Sequence, residues 1–448
     1  MKLKDETIRH IQDRSSLIAV VGAGYVGLPS SALFATAGFH VIAVDIKPRV
    51  VESINRGLSS INEPGLNELL SQSVQRGRLR ATMNSNDALD QASIIIVCVQ
   101  TPIDAHRNPN LTFLVGVLEQ IGKALKPGKI VVLCSTVPPR TMLETVKPKL
   151  ESLSGLNAEK DFFLAYAPER IAPGRILEEF VQSPRLVGGV GPSSTIVTAE
   201  LFRTVCNKVV ETEATTAEVA KLAENTFRDI NIAFANQLAL ICEHVGADVV
   251  DTISLANTHP RVNIHKPGPG VGGPCIPKDP YLLVYQSEHT NHDIIKIARE
   301  INDNMPIHVV KMVVQALENA GKPSRGSTIA ILGTAYKSNT DSPSLSPSKP
   351  VIDELIRLGL RAVAYDPCCR ESFGAKRADS LYEAVTGTDC MVIITDHTQF
   401  KDLDLKKIKS LMKDRPALID ARRIVNPGEA KKLGFIYRGL GFPSGRNP

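Results

Sequence analysis

The chain has 448 residues, of which 43% are hydrophobic and 22% charged, and its formal net charge is +5. This length predicts two or three domains at roughly 150 residues each, and the composition is typical of a globular enzyme. The positive charge is small and scattered, which excludes a nucleic-acid-binding stripe and suits an anionic small-molecule ligand.

The opening residues and the cysteines exclude other classes of protein. MKLKDETIRHIQDRSS is charged and unlike a signal peptide, and no apolar run approaches the ~20 residues that span a bilayer. The eight cysteines and ten histidines do not cluster as metal ligands do, and we interpret Cys368 and Cys369 as a chance surface pair. We therefore expect a cytoplasmic protein with reduced thiols, no metal, and no membrane or nucleic-acid partner.

A βαβ pattern comes first along the chain. Strand-like runs at 17–22 and 41–45 flank an Ala/Ser-rich helical stretch from Pro29 to Gly38. Further strand-like runs follow, with helical stretches between several of them, at Ile94–Val99, Ile130–Leu133, Phe162–Tyr166 and Leu186–Gly188. This series predicts a mostly parallel, doubly wound sheet.

The turn between the first strand and its helix reads GAGYVGL, from Gly22 to Leu28, and Asp45 ends the second strand. A strand, a glycine turn, a helix and an acidic residue about 20 positions later form the dinucleotide-binding fingerprint. Asp45 would bind the adenosine ribose hydroxyls and repel a ribose phosphate, which favours NAD over NADP. Lys47 and Arg49 lie nearby and argue in the other direction.

Five residues of this turn are assigned to the cofactor. Gly22 permits the tight turn, Gly24 lets a pyrophosphate approach the backbone, and Gly27 permits close packing of the helix. Tyr25 and Val26 complete the predicted contacts within the turn.

Three strand ends carry polar residues. Thr101 in CVQTP and Thr136 in STVPPRT are candidates for contacting the cofactor or positioning a water, and simple turn chemistry is the alternative. In APERIAPGR, Glu169 lies between proline-fixed turns and is a candidate general base. The alternative there is a surface ion pair with Arg170 or Arg175.

The stretch from Thr215 to Val245 lacks proline and glycine, and its apolar residues recur at helical spacing. It predicts one helix of about 30 residues, a length typical of a domain connection or a dimer interface. We predict a homodimer, or a higher homo-oligomer, with the dimer built on this helix. Lys221 and Asn225 share one of its faces, with Arg228 close by, and form either a solvated stripe or the wall of an active site.

The sequence GPGVGGPCIPKDPYLL, from Gly268 to Leu283, surrounds Cys275. Its glycines let the backbone approach a ligand and its prolines fix the path of the loop, so it predicts neither helix nor regular strand. With Lys278 and Asp279 close by, Cys275 has the ingredients of an activated nucleophile. A tight turn with an incidental cysteine is the alternative.

A second α/β pattern follows the linker-like stretch KPSRG. Its predicted strands are Thr328–Gly333, Ala362–Pro367, Cys390–Thr395 and Ala417–Ala421, with a helix at Lys349–Gly359. The predicted fold class is therefore α/β, with two Rossmann-like doubly wound domains joined by a central helical region with one long helix. The predicted domains are residues 1–212, 213–321 and 322–448.

These segments together resemble the UDP-glucose/GDP-mannose dehydrogenase family. GAGYVGL, KLAENTFRDINIAFANQ, the cysteine loop, LGTAYKSNTD and YDP follow the order of that family over nearly the full length. PERIAPGR, FRDINIAFAN and ANTHPRVNIHKPGPGVGG resemble the members that oxidise UDP-N-acetyl-D-mannosamine. The resemblance implies polysaccharide biosynthesis, with NAD bound by the first domain and the UDP-sugar by the third.

The activity implied by the resemblance is a four-electron, NAD-dependent oxidation of the sugar C6 alcohol to a carboxylate, giving UDP-N-acetyl-D-mannosaminuronate. Cys275 would form first a thiohemiacetal and then a thioester, which water hydrolyses. Lys221 would stabilise the alkoxide with Asn225 as its companion. Asp279 would act in proton transfer and Glu169 in hydrolysis of the thioester.

Further contacts are implied by the same resemblance. Thr136 would lie near the attacking water, Arg261 would reach the substrate across a dimer, and Lys337 would lie near the diphosphate. The other implied substrate contacts are Glu169, Arg170, Lys221, Asn225, Arg228 and Gly272.

The chain departs from the family pattern in two places. Ser344 stands where the family carries an arginine, and the cysteine loop has Pro274 and Lys278 where the nearest members often differ. Three later arginines are candidates to supply the missing charge: Arg422, Arg423 and Arg438.

Two alternative functions remain open. UDP-glucose and UDP-N-acetylglucosamine 6-dehydrogenases share the same catalytic residues. A non-catalytic nucleotide-sugar-binding protein is the alternative of another class, and the joint presence of Cys275, Lys221, Glu169 and Asp279 argues against it.

Overall fold

The computed structural model describes residues 2–287 and 289–443. The chain divides into two compact units. The first comprises the chain up to Glu224 together with Tyr281–His289, and the second comprises Asn225–Pro280 together with the chain from Thr290 onward. In these described residues, no helix is both long enough and apolar enough to cross a membrane.

An eight-stranded sheet forms the centre of the first unit. Its strands are β1 (Leu17–Val21), β2 (His40–Val44), β3 (Leu79–Thr82), β4 (Ile94–Val97), β5 (Ile130–Leu133), β6 (Phe163–Tyr166), β7 (Arg185–Gly189) and β8 (Val209–Glu213). The strand order is β3-β2-β1-β4-β5-β6-β7-β8, and the β6–β7 pair is antiparallel whereas the other pairs are parallel.

Nine helices lie wholly within this unit in the part of the chain described. They are α1 (Lys2–Gln12), α2 (Gly27–Thr36), α3 (Pro48–Asn55), α4 (Leu66–Gln75), α5 (Ser85–Gln91), α6 (Thr112–Ala124), α7 (Lys147–Ser154), α8 (Ile176–Gln182) and α9 (Pro192–Arg203). A π-helical turn at Met142–Val146 precedes α7. Alternate residues of β1 enter two separate cores, Ile18 and Val20 one and Ala19 and Val21 the other, as in a sheet covered on both faces.

The second unit contains a six-stranded parallel sheet. Its strands are β9 (Thr328–Leu332), β10 (Arg361–Tyr365), β11 (Lys376–Arg377), β12 (Cys390–Ile393), β13 (Ala417–Asp420) and β14 (Ile436–Gly439). The order β11-β10-β9-β12-β13-β14 repeats the order of the first six strands of the other sheet. Alternate residues of β9 also enter two cores, which confirms the second doubly wound sheet.

The remaining helices include the long one predicted from the sequence. They are α10 (Ala214–Val245), α11 (Val249–Ala256), α12 (Asp279–Val284), α13 (Asp293–Asn319), α14 (Ser348–Arg357), α15 (Leu381–Val385), α16 (Leu405–Leu411) and α17 (Pro427–Lys432), with a 3-10 turn at Thr398–Phe400. Helix α10 has 32 residues and confirms the predicted long helix. It begins in the first unit and ends in the second.

One prediction about the cysteine loop is wrong in part. The segment is irregular from Gly268 to Lys278, but α12 begins at Asp279 and includes the rest of the stretch. Pro280 is compatible with the first turn of a helix, where its missing N–H costs no hydrogen bond. The loop is therefore shorter than predicted and leads directly into a helix.

Candidate active site

The glycine turn after β1 has the geometry that a dinucleotide requires. Gly22 has a φ of +95°, and a β-carbon there would lie 2.7 Å from the carbonyl oxygen of Cys98. A β-carbon on Gly27 would lie 1.8 Å from the Gly22 carbonyl oxygen, so this start of α2 requires glycine. Gly24 faces open space, because a β-carbon there would meet no atom within 4 Å. The turn thus fits a pyrophosphate held against the backbone.

Asp45 lies one residue beyond β2 and is bound to this turn. Its Oδ2 accepts the Ala23 N–H at 3.0 Å, and its Oδ1 accepts the Lys47 N–H at 2.9 Å. Tyr25 is exposed within the turn, and Val26 is the N-cap residue of α2. A carboxylate fixed at this edge is suited to the ribose hydroxyls of a dinucleotide.

The structure brings Thr101 and Thr136 together. Thr101 is buried, and its Oγ1 donates to the carbonyl oxygen of Thr136 at 2.5 Å. The adjacent Ser135 donates from Oγ to the Val99 carbonyl oxygen at 2.6 Å. The two loops that follow β4 and β5 are therefore joined at the carboxyl edge of the sheet, where ligands of open sheets bind.

Lys221 and Glu169 form a largely buried ion pair. Lys221 Nζ lies 3.2 Å from Glu169 Oε1, with side-chain exposures of 5% and 12%. The other carboxylate oxygen of Glu169 accepts the Ile171 N–H at 3.0 Å. The prediction that Lys221 lines a site rather than a solvated stripe is consistent with this burial, because an isolated lysine would remain in water.

The alternative ion pairs of Glu169 are not the ones that the structure contains. Arg170 Nη2 lies 2.6 Å from Glu224 Oε1, and Arg175 Nη2 lies 2.9 Å from Glu178 Oε1. Both arginines thus pair with other carboxylates, and Glu169 pairs with Lys221.

Asn225 and Asp279 form a second buried contact, within the second unit. Asn225 Nδ2 donates to Asp279 Oδ2 at 2.6 Å, and Asp279 is fully buried. Lys278 Nζ lies 3.8 Å from the other carboxylate oxygen. The N–H of Asp279 donates to the carbonyl oxygen of Cys275 at 2.8 Å, which closes the turn that carries the half-buried thiol.

The cysteine loop lies directly on the segment that carries Lys337. The N–H of Gly273 donates to the Ser344 carbonyl oxygen at 2.9 Å, and a β-carbon on Gly273 would lie 2.7 Å from the Tyr336 ring. At Gly272 a β-carbon would lie 2.7 Å from a backbone oxygen of the same segment. Lys337 itself is exposed beside these contacts. Glycine is therefore required for the close approach of the two loops.

Of the three candidate replacement arginines, Arg422 lies against the cysteine loop. A β-carbon on Gly268 would lie 2.8 Å from Arg422 Nη1. Arg423 Nη2 instead pairs with Asp248 Oδ2 at 2.7 Å, and Arg438 donates to a glutamine of α13 at 2.6 Å. Its position at the cysteine loop favours Arg422, among the three, as the arginine that supplies the charge missing at Ser344.

Two predicted substrate arginines are exposed. Arg228 projects from α10, and Arg261 lies in the turn after α11. Burial and then the positive charge of Arg228 lower the pKa of His265, which places that guanidinium near the segment before the cysteine loop. The structure brings Arg228 toward this segment and leaves the role of Arg261 a prediction.

A group of potential metal ligands occurs in the described part of the second unit. Ligand atoms of Asp366, Cys368 and His397 lie within 4.8 Å of one another. Both imidazole nitrogens are already engaged, since Nε2 lies 3.0 Å from Asp366 Oδ2 and Nδ1 accepts the Asn339 N–H at 3.0 Å. The absence of a metal site stays a prediction.

The surface interpretation of the cysteine pair is wrong for one of its members. Cys368 is exposed, but Cys369 is buried. The N–H groups of both cysteines donate to Asp366 Oδ1, at 2.8 Å from Cys368 and 2.7 Å from Cys369.

Sequence analysis missed two buried glutamates, Glu218 and Glu63. Glu218 accepts backbone N–H groups of the loop that carries Thr136, and Glu63 does the same for the loop after Glu169. Glu218 precedes Lys221 by three positions on one helix, and that shared face was an available signal. Glu63 lies in a loop whose sequence gives no comparable indication.

Comparison with known proteins agrees with this geometry. The models of the UDP-glucose/GDP-mannose dehydrogenase family match in order, the NAD binding domain at residues 16–206, the central domain at 215–304 and the UDP binding domain at 330–427. A protein of Pyrococcus horikoshii named UDP-N-acetyl-D-mannosamine dehydrogenase is 42% identical over 427 residues, covering 95% of this chain and 99% of that protein.

Solved structures agree in fold as well. The structure described as the UDP-D-ManNAc dehydrogenase from Pyrococcus horikoshii superimposes with a TM-score of 0.89 at 39% identity, covering 95% of this chain and 99% of the other. A structure named NDP-N-acetyl-D-galactosaminuronic acid dehydrogenase, from Methanosarcina mazei Go1, has a TM-score of 0.87 at 34% identity and covers 99% and 98% of the two chains.

These matches confirm the predicted fold class and the dehydrogenase activity. They also confirm NAD as the cofactor, because the NAD binding model covers both the glycine turn and Asp45. The UDP binding model confirms a UDP-sugar as the ligand class. The chain belongs to the UDP-glucose/GDP-mannose dehydrogenase family.

Proposed function

We propose that the chain oxidises the C6 alcohol of UDP-N-acetyl-D-mannosamine to the carboxylate in two NAD-dependent steps. The observation that carries the proposal is the buried contact between Lys221 Nζ and Glu169 Oε1 at 3.2 Å. It supplies a cation for a developing oxyanion and a carboxylate for a water within one site. The name of the Pyrococcus horikoshii relative supports the choice of sugar.

The first oxidation removes a proton and a hydride from the C6 alcohol. The Lys221 ammonium stabilises the developing alkoxide, and Asn225 is assigned beside it, one helical turn further along α10. Asp279, oriented by Asn225 at 2.6 Å, is assigned to proton transfer. The glycine turn after β1 would hold NAD, which would supply the hydride acceptor for each oxidation.

The second oxidation proceeds on Cys275. The thiolate sulfur adds to the aldehyde carbon and gives a thiohemiacetal, whose loss of a hydride gives a thioester. A water positioned near Thr136 and deprotonated by Glu169 then adds to the thioester carbon. The carbon–sulfur bond breaks, which releases the sugar acid and regenerates the thiol.

The alternative sugars are UDP-glucose and UDP-N-acetylglucosamine, because their oxidation would use the same residues. The test is the initial rate of NADH formation on these two sugars and on UDP-N-acetyl-D-mannosamine at equal concentrations. We expect the highest kcat/KM for UDP-N-acetyl-D-mannosamine. A higher value for another sugar would contradict the substrate assignment, and binding without NADH formation would favour the non-catalytic alternative.

The proposal includes a homodimer built on α10. This helix exposes Phe227, Phe234 and Ile241, with exposed fractions of 63%, 54% and 47%. Their spacing of seven residues aligns them along one side of the helix, as in helices that pair. A self-complementary apolar stripe of this kind is suited to a second copy of the same chain.

The three functional domains and the location are parts of the same proposal. Residues 1–212 are assigned to NAD, 213–321 to dimerisation and the cysteine loop, and 322–448 to the UDP-sugar. The cytoplasm is the proposed location, supported by eight cysteines that are all free thiols.

A further inference from the structure

Glu218 holds the backbone of a loop at two points. Its Oε2 accepts the Arg140 N–H at 2.7 Å, and its Oε1 accepts the Met142 N–H at 2.8 Å. The side chain is fully buried. The loop runs from Thr136, which Thr101 holds, to the π-helical turn. Glu218 therefore fixes the end of the loop opposite to the threonine contact.

Glu63 makes the same type of contact in the loop after Glu169. Its Oε2 accepts the Gly174 N–H at 2.8 Å, its Oε1 accepts the Ile176 N–H at 2.7 Å, and the residue is buried. Glu169, at the other end of this loop, is held by Lys221. In both loops one carboxylate binds the N–H groups of two residues that are two positions apart.

One of these contacts lies at a backbone position that needs support, because Arg140 has a φ of +67°, in the left-handed region that is unfavourable for a residue with a side chain. Gly174 has a φ of +89°, which glycine adopts without strain. A carboxylate offers two acceptor oxygens and no donor. The isosteric amide of glutamine offers one acceptor oxygen, which can bind only one of the two backbone N–H groups. Its NH2 group would face the other backbone N–H, and two donors make no hydrogen bond. The contact therefore requires glutamate.

We propose that Glu218 and Glu63 are positioning residues that set the loops of Thr136 and Glu169 for hydrolysis of the thioester. The inference rests on the proposed function, because that function assigns Thr136 and Glu169 to this step. The two glutamates act through these residues and not on the substrate.

A matched control exists in the same unit. Glu159 accepts the Ser193 N–H at 2.9 Å and the Ser194 N–H at 2.8 Å, at the N-terminus of α9. Glu159→Gln therefore removes the same kind of contact from a helix outside the two loops. We expect Glu218→Gln, Glu63→Gln and Glu159→Gln to lower the melting temperature to a similar extent.

The expected difference lies in turnover. Glu218→Gln and Glu63→Gln should each lower kcat by about 10- to 100-fold while the KM for NAD stays unchanged, because misplaced groups lose rate rather than cofactor affinity. Both should accumulate a covalent sugar adduct on Cys275, visible by intact-protein mass spectrometry after an acid quench. Glu159→Gln should retain the kcat of the wild type and show no adduct.

An equal loss of kcat in Glu159→Gln, or an unchanged kcat in both loop variants, would overturn the inference. Each loop has its own variant. If one variant fails to fold, the kcat of the other still tests the inference. A wild type that oxidises no UDP-sugar would refute the proposed function instead. In that case amide hydrogen exchange without substrate decides, since Glu218→Gln should speed exchange at Arg140 and Met142 by roughly tenfold or more. Unchanged exchange there would refute the role of Glu218.

Discussion

Lys221 Nζ lies 3.2 Å from Glu169 Oε1, and this pair joins helix α10 to the loop after β6. Both side chains are largely buried, and Glu169 is held on its other oxygen by the Ile171 N–H. Removal of one partner leaves the other as an uncompensated buried charge, so the pair is sensitive to single substitutions.

Lys221→Ala should lower kcat, because the oxyanion loses the stabilisation that the ammonium supplies. The activation free energy should rise by roughly 2.7–4 kcal/mol if the ammonium behaves like one donor of an oxyanion hole. The measurement is steady-state NADH formation at saturating NAD and sugar. Lys123→Ala, on the exposed surface of α6, is the control and should keep the kcat of the wild type. Equal kcat values for Lys221→Ala and the wild type would exclude the assigned role.

The cofactor preference follows from Asp45. Its carboxylate is fixed by the Ala23 and Lys47 N–H groups and would repel a 2′-phosphate on the ribose. We expect a clear preference for NAD when both cofactors are titrated, and a weaker preference in Asp45→Asn, which removes the charge. Better kinetics with NADP in the wild type would contradict this account of the site.

The oligomeric state can be tested at the centre of the exposed stripe. Phe234→Lys places a charge between Phe227 and Ile241 and should convert a dimer to a monomer, measured by light scattering with size-exclusion chromatography. Phe113→Lys is the matched control, because Phe113 is exposed on α6 and outside the stripe. A wild type of monomer mass, or a dimer that survives Phe234→Lys, would contradict a dimer built on α10. If Arg261 reaches across the dimer, the monomer should also lose turnover.

The pH dependence of stability depends in part on Glu218. Burial raises its pKa from the ordinary 4.5 to about 7, against the effect of the Met142 and Arg140 N–H groups. The native state thus binds this proton more tightly than the unfolded chain. Between pH 4.5 and about pH 7, the contribution of Glu218 to the free energy of unfolding falls as the pH rises. Above about pH 7 this contribution levels off.

Glu218→Gln cannot titrate, so the difference between the two proteins isolates this contribution. The melting temperature of the wild type minus that of Glu218→Gln should become smaller as the pH is raised from about 4.5 to about 7. The negative charge of Glu144 also raises the pKa of Glu218. In a Glu144→Gln background, the difference in melting temperature should therefore level off at a lower pH. A difference that does not vary with pH would show that folding does not raise the pKa of Glu218.

The sequence was most informative where local chemistry determines the structure. The run Ile94–Val97 is apolar throughout and occupies the centre of a sheet, and the glycines at 22 and 27 stand where no β-carbon fits. The edge strands β3, β8, β11 and β14 escaped prediction because each contains polar or charged residues, and none is an apolar run like those of the central strands.

Side-chain partners at the site were less predictable, because they depend on contacts between distant segments. Arg170 and Arg175 lie within six positions of Glu169, yet Lys221, 52 positions away, is its partner. The contact of Glu63 with Gly174 spans 111 positions. No periodicity or local motif encodes such a pairing; it arises only when the sheet has set the loops side by side.

The stoichiometry of NADH per sugar acid tests the central claim most directly. With limiting UDP-N-acetyl-D-mannosamine, the wild type should form two NADH for each UDP-N-acetyl-D-mannosaminuronate identified by mass spectrometry. Cys275→Ser should lose acid formation by orders of magnitude, since a serine hydroxyl is a far weaker nucleophile near neutral pH. One NADH per sugar with release of free aldehyde, or normal acid formation by Cys275→Ser, would contradict the covalent mechanism.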